Sequence, residues 1–230
     1  MVSSILRSMY IYAFLETPES SFCLPPGIAG ELKLVSCDRL SVVVEPDLKP
    51  EAIQTADDDV QLQAILAHDR VLRELFIHRE LLPVPFGTFL LSQDVLMDYL
   101  HGHSAEFLAK LDHVRHKAEY TLKLLPKEFN LESDSTPLKG KEYFLAKKRR
   151  YEAQVQQQAE QQEQLENLVD LIAQQYPTVQ GETKDGIGRI FILGDRRQEA
   201  TLLNHVQDWR DRCSLWEINI SEALPAYHFV

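Results

Sequence analysis

LLPVPFGTFL, residues 81–90, decides how the first half of the chain is read. Upstream of it, Val60, Leu62, Ile65, Leu66, Val71, Leu72, Leu75 and Phe76 recur at spacings of three and four. They follow Asp57-Asp58-Asp59, an acidic run that suits the positive end of a helix dipole. A helix built this way cannot continue through Pro83 and Pro85, because each ring removes a backbone donor and forces the preceding residue into extended geometry. The stretch is therefore a helix-to-strand junction that sets up Phe86 to Leu90 as a strand, with Gly87 letting a neighbouring backbone or side chain come close. It reads as scaffold and not as a ligand-cradling loop.

Working outward, Tyr10 to Leu15 is an aromatic and β-branched strand closed by the turn residues Thr17 to Ser21. Leu32 to Val35 and Val42 to Val44 flank a polar turn and predict a hairpin. Gln93 to Leu100 and Ser104 to Lys117 carry helical spacing, with His101-Gly102-His103 read as the break between two helices. The period then changes to two at Tyr120, Leu122 and Leu124, which marks a new domain.

Asn130 to Lys141 is a loop, and Glu142 to Tyr176 is free of Pro and Gly. As one helix, that segment is about 50 Å long. Its glutamine-rich middle is expected to protrude or to meet a partner. Strands at Thr178 to Lys184 and Arg189 to Leu193, a helix at Ala200 to Trp209 and a strand at Leu215 to Ile220 complete the order strand, helix, strand, strand, helix, strand. The predicted class is α+β with two α+β domains. Residues 1–116 form the first and residues 117–230 the second, a ferredoxin-like βαββαβ unit with a long helix and an aromatic-ended tail.

The totals exclude several function classes. The chain has 230 residues, 44% hydrophobic and 26% charged. No run approaches the ~18 apolar residues of a membrane span. The start, MVSSILRSMYIYAFL, is not a signal peptide: its apolar run is short, holds two tyrosines, meets Glu16 directly and lacks a small-residue cleavage site. A net charge of -11 opposes binding to nucleic acid or anionic membranes. Cys23, Cys37 and Cys213 are odd in number and lack paired spacing, as expected of free thiols in a reducing compartment.

No constellation argues for catalysis. His101, His103, His113 and His116 cluster in sequence, but no Cys is near them and the two pairs fall on different predicted elements, so no metal site is expected. Gly181 to Gly188 lacks the Gly-Lys-Ser/Thr ending of a phosphate loop, and Glu142 occupies the hydroxyl position after Gly140-Lys141. Asp57 to Asp59 lack the spaced oxygens and glycine of a calcium loop. Asp185 to Phe191 is similar to the third strand of an RNA-recognition sheet, yet only Phe191 offers a stacking ring, and Lys147 to Arg150 reads as a solvated helix face. No enzyme activity and no cofactor is expected. The alternative class is a ferredoxin-like module that binds a small molecule or RNA.

Six motifs in order carry a resemblance. They are Tyr10-Ile11-Tyr12-Ala13, Ala67-His68-Asp69-Arg70-Val71-Leu72, Leu82-Pro83-Val84-Pro85-Phe86-Gly87-Thr88, Lys117-Ala118-Glu119-Tyr120, Gly140-Lys141-Glu142-Tyr143-Phe144-Leu145-Ala146-Lys147 and Leu224-Pro225-Ala226-Tyr227-His228-Phe229. Together the chain from Met9 onward resembles the gas vesicle protein F/L family, most closely its cyanobacterial F type. Residues 1–8 lie outside the pattern. The family's tail usually reads Gly-Pro-Trp-Pro-Pro-Tyr where this chain has Ser221 to Tyr227, so no role of that glycine or tryptophan transfers.

The resemblance implies a non-enzymatic minor shell component or assembly factor of gas vesicles. It further implies contact with the hydrophobic main shell protein and with other accessory proteins, and a place on the shell within the cytoplasm, with the gas-facing side as one of two candidate faces. A shell subunit apolar enough to exclude water needs a soluble partner, so exposed apolar surface is the expected docking site. Tyr151 and Val155 on the long helix and Tyr227 and Phe229 in the tail are the expected contacts, against the plainer readings of domain packing and tail docking.

Overall fold

Strand β1 (Met9–Glu16) is buried from Met9 to Leu15, which requires cover on both faces of its sheet. In this computed structural model, which describes residues 8–20, 22–46, 48–127, 140–184 and 186–230, β1 pairs antiparallel with β3 (Leu40–Glu45). β3 pairs in turn with β2 (Lys33–Cys37) across the hairpin read from the sequence. The register of β1 on β3 slips between Ile11 and Ala13. A strand without a slip sends residues 10, 12 and 14 to one face. Here Tyr10 and Tyr12 meet His68 of one covering helix, whereas Phe14 stacks on Phe107 of another with ring centroids 4.4 Å apart. The slip at Tyr12 accounts for the reversal and lets one strand serve both covering helices.

After the short helix α1 (Glu51–Gln54), helix α2 (Asp58–His78) begins where the sequence placed it. The side chain of Asp57 accepts a hydrogen bond from the Val60 N–H, and Ala64, His68, Val71, Leu72, Leu75 and Phe76 form its buried face. Helix α3 (Gln93–His113) is capped by Ser92 and runs unbroken through His101-Gly102-His103, where a break was expected. A single helical glycine costs only about 1 kcal/mol. Burial of Leu96, Leu100 and Leu111 on either side outweighs it.

The junction also differs from its sequence reading. Extended pairing starts before the second proline, at β4 (Leu82–Pro83), and resumes at β5 (Phe89–Leu90), both against β1. Pro83 is tolerated opposite Ala13 because this is the sheet's edge, where a missing donor breaks no second ladder. Phe86 and Gly87 form a turn between the two short strands and are not themselves in a strand. Gly87 has φ +84°, and no atom lies within 4 Å of where its Cβ would stand, so the glycine serves the left-handed backbone and not a close approach.

The second sheet has the order β7-β8-β6-β9, built from β6 (Lys117–Pro126), β7 (Thr178–Gln180), β8 (Gly188–Asp195) and β9 (Trp216–Ile220). β6 pairs antiparallel with β9 and β7 with β8. Helix α4 (Lys141–Ala173) buries Leu168 and Ile172, and α5 (Glu199–Arg212) buries Leu202, Val206 and Trp209. The order of strands and helices is the one read from the sequence. The expected loop at Asn130 to Lys141 falls almost wholly outside the described residues, and so does Asp185 of the expected turn.

The chain divides into two compact units, Met1–Glu119 with Ala223–Val230, and Tyr120–Glu222. The tail therefore belongs with the first unit, whereas the sequence boundary at 116/117 put it with the second. The reason is a long-range backbone bridge: Glu119 and Leu224 exchange both backbone hydrogen bonds at 2.9 Å, which ties the chain end to the last residue of the unit's first segment.

Candidate functional site

The proline junction is fastened from beneath by polar groups. Val84 lends its carbonyl to His68 Nε2 at 3.1 Å, and a carbonyl can only accept, so Nε2 carries the proton and Nδ1 is an acceptor. The Tyr10 hydroxyl donates to that Nδ1 at 2.8 Å and accepts from the Gly87 N–H at 3.2 Å. Burial pushes the Tyr10 hydroxyl well above its ordinary pKa, with the Gly87 N–H opposing it and the Glu45 charge adding to it. Burial likewise holds the His68 imidazole below its ordinary value, outweighing the Val84 bond and the charge of Asp69. His68 is thus a neutral structural link that uses both nitrogens inside the fold.

Beside it, Glu45 is 1% exposed. Its carboxylate accepts from the Tyr12 hydroxyl at 2.5 Å and from the Ile28, Ala29 and Gly30 N–H groups at 2.8, 2.8 and 2.6 Å. Burial, then the bond to Glu45, drives the Tyr12 hydroxyl far above its ordinary pKa. A Cβ on Gly27 would stand 2.3 Å from Glu45 Oε2, so the loop closes on the carboxylate only because residue 27 has no side chain.

The tail is fastened in a third way. Glu119, 1% exposed, accepts from the His228 N–H and from the His228 ring Nδ1, each at 2.8 Å. Tyr227 is 37% exposed and Phe229 half-buried, both in the first unit. Burial raises the Tyr227 hydroxyl above its ordinary pKa, aided by the charge of Asp69. Neither buried carboxylate was singled out in the sequence, although Glu119 and His228 lie inside two of the six motifs. Glu45 had one visible signal, a lone acid closing the apolar run Val42 to Val44.

Among the described residues, the first unit has at least two cavities. One, about 420 Å³, lies against the junction and is lined by Phe14, Pro83, Pro85, Tyr99, Phe107 and Val230. Its wall is apolar, and it is where Pro83 and Pro85 reach the surface. The other, about 560 Å³, is lined by charged side chains that neutralise one another: Arg39 and Arg115 both bond Glu16, and the Arg39 bond is the first cause holding that carboxyl below its usual range.

On the second unit, the first half of α4 has no buried residue from Lys141 to Glu160. Phe144 is 71% exposed, Tyr151 67% and Val155 48%, and spacings of seven and four place all three on one helix face. Tyr151 and Val155 are thus brought onto a common surface. Among the described residues, one group combines metal-ligating atoms: Cys37, Asp38 and His101, whose ligand atoms lie within 4.8 Å of one another. The sequence argument against a histidine site looked for a cysteine nearby in the chain, and the fold supplies one from β2.

These features define an α+β protein of two units, each with its own sheet, in which Glu45, His68 and Glu119 hold loops and the tail, while the junction cavity and one face of α4 present apolar surface. The sequence profile of gas vesicle synthesis protein GvpL/GvpF matches residues 8–230, and the chain belongs to that family. The fold is similar to that of the crystal structure of gas vesicle protein GvpF from Anabaena sp. PCC7120, with TM-score 0.71 and 12% identity over 97% of this chain and 98% of that one. It is equally similar to GvpF from Microcystis aeruginosa, with TM-score 0.70 and 14% identity over the same shares. At such identities these likenesses bear on the fold. No curated protein matches the sequence. The family resemblance carried by the six motifs is therefore correct, and the protein has its role in gas vesicles.

Proposed function

We propose that the protein is a minor structural component or assembly factor of gas vesicles that binds the hydrophobic main shell protein and meets other accessory proteins, without catalysing a reaction. Family membership supports the gas vesicle setting. The observation that carries the binding reading is the exposed face of α4, where Phe144, Tyr151 and Val155 place large apolar side chains in water on a helix half with no buried residue. Such a face is costly to leave bare and suits an apolar partner. Tyr227 and Phe229 remain contacts of the second rank, because the tail that bears them is already docked through His228. Among the described residues, no helix is long and apolar enough to cross a membrane.

The test is to float intact gas vesicles, wash them in urea, and blot for the protein before and after shell collapse. Retention through washing, with epitopes protected until collapse, is expected of a shell component on the gas side. Recovery in the cytosol bound to unassembled shell protein is expected of an assembly factor. Absence from both fractions would sink the proposal.

A further inference from the structure

We infer that Cys37, Asp38 and His101 form a binding site for a late first-row divalent cation, with zinc the best match to the donor set. The three groups come from two elements that the fold packs together. Cys37 ends β2, Asp38 opens the turn to β3, and His101 lies in the middle of α3, which packs against both strands. One ligand atom from each lies within 4.8 Å of the other two, close enough for a shared ion after small side-chain movements.

Each donor is prepared for ligation by its own local structure. His101 Nδ1 faces the Met97 carbonyl at 2.9 Å. That oxygen can only accept, so Nδ1 carries the proton and Nε2 keeps its lone pair. A backbone carbonyl on the far nitrogen is how proteins orient metal-binding imidazoles. Cys37 is 5% exposed and is a free thiol, so its sulfur is held in place and shielded from solvent. Asp38 stands at φ +50°, and its turn is pinned by Thr17, whose hydroxyl donates to the Asp38 carbonyl at 2.9 Å while its N–H donates to Arg39 O at 2.8 Å. The turn thus presents the carboxylate beside the last residue of the strand.

Sulfur, nitrogen and oxygen together select against calcium and magnesium, which want oxygen alone, and favour tetrahedral zinc with one position left for water or a partner's donor. Binding converts the Cys37 thiol to a thiolate and releases its proton to solvent. The bound ion clamps the tip of the β2–β3 hairpin to the middle of α3.

The experiment uses the full chain in a Cys23→Ser background, which removes the exposed thiol. Metal-free protein is titrated with zinc against a chromophoric chelator, and with cobalt(II) while following thiolate-to-metal charge-transfer absorption. One ion per chain is expected, with a thiolate band and a raised melting temperature. Cys37→Ser removes the band, and His101→Gln, an exposed position that leaves the core untouched, weakens zinc binding by at least roughly tenfold. His103→Gln changes neither. Failure of the parent chain to take up a stoichiometric ion overturns the inference. So does a thiolate band that survives Cys37→Ser, or zinc affinity unchanged in His101→Gln.

Discussion

The carboxylate of Glu119, its side chain 2% exposed, is bonded by both the backbone N–H and the ring of His228, 109 residues further along the chain. The pair fixes where the chain ends. Removing the ring leaves one oxygen of a buried carboxylate without its donor, a loss of about 1–3 kcal/mol. His228→Ala is expected to lower the urea midpoint of the first unit accordingly, and Glu119→Gln to show non-additivity with it in a double-mutant cycle. Additive losses would show that the two side chains do not act as a pair.

His68 makes stability depend on pH in a definite direction. Its folded-state pKa is depressed, chiefly by burial. As pH falls through the unfolded value of about 6.5, the unfolded chain takes a proton before the folded one does, so stability falls with pH. The contribution is complete above that value and is lost as pH falls through the lower folded pKa. Urea melts of the parent chain and of His68→Gln, run from about pH 8 to pH 5.5 to span that value, should differ in slope, with the variant flatter. Parallel profiles would remove the assignment.

Two glycines should respond to alanine in opposite ways. At Gly27 the new Cβ meets Glu45 Oε2 at 2.3 Å, and Glu45 cannot yield without dropping the loop's N–H groups. Gly27→Ala should cost about 1–3 kcal/mol by overpacking. At Gly102, on the exposed face of α3, nothing lies within 4 Å, and alanine should add roughly 0.5–1 kcal/mol. Thermal melts of the two variants on either side of the parent chain would satisfy both expectations.

The contrast between those glycines also shows what the sequence could and could not reveal. Local signals were readable: the Asp57 cap, the period of α2, the hairpin and the order of elements in the second unit all follow from neighbours in the chain. Gly102 misled because a breaker was weighed without the burial on either side of it. Pro83 and Pro85 signal the end of the helical pattern, but edge pairing depends on a strand some seventy residues earlier, so Leu82–Pro83 and the turn at Phe86-Gly87 were out of reach. Glu45, Glu119 and the meeting of Cys37 with His101 are long-range facts. Periodicity carries no information about them, although His68, Glu119 and His228 all sit within motifs that carried the family resemblance.

Tyr120 offers a prediction with the other sign. Its hydroxyl is buried with no hydrogen-bond partner among the described residues, and burial, then the charge of Glu199, pushes its pKa up to about 12. A buried donor left unmatched costs free energy that a ring without the hydroxyl does not. Tyr120→Phe is therefore expected to raise the melting temperature slightly, by the equivalent of up to about 1 kcal/mol. A fall of that size would mean that the hydroxyl is satisfied in solution.

The exposed face of α4 separates binding from stability. Tyr151 and Val155 are 67% and 48% exposed, so replacing both by Glu removes little packing and should alter stability by no more than about 0.5 kcal/mol. The same change puts two carboxylates where an apolar partner would have to dock, and burying an unpaired charge is strongly unfavourable. The double variant should melt with the parent chain yet lose at least roughly tenfold in binding to the main shell protein, since 1.4 kcal/mol suffices for that factor. Tyr227→Glu provides the comparison for the tail. If it abolishes binding while the α4 variant binds normally, the docking surface lies on the first unit, and the helix face has another purpose.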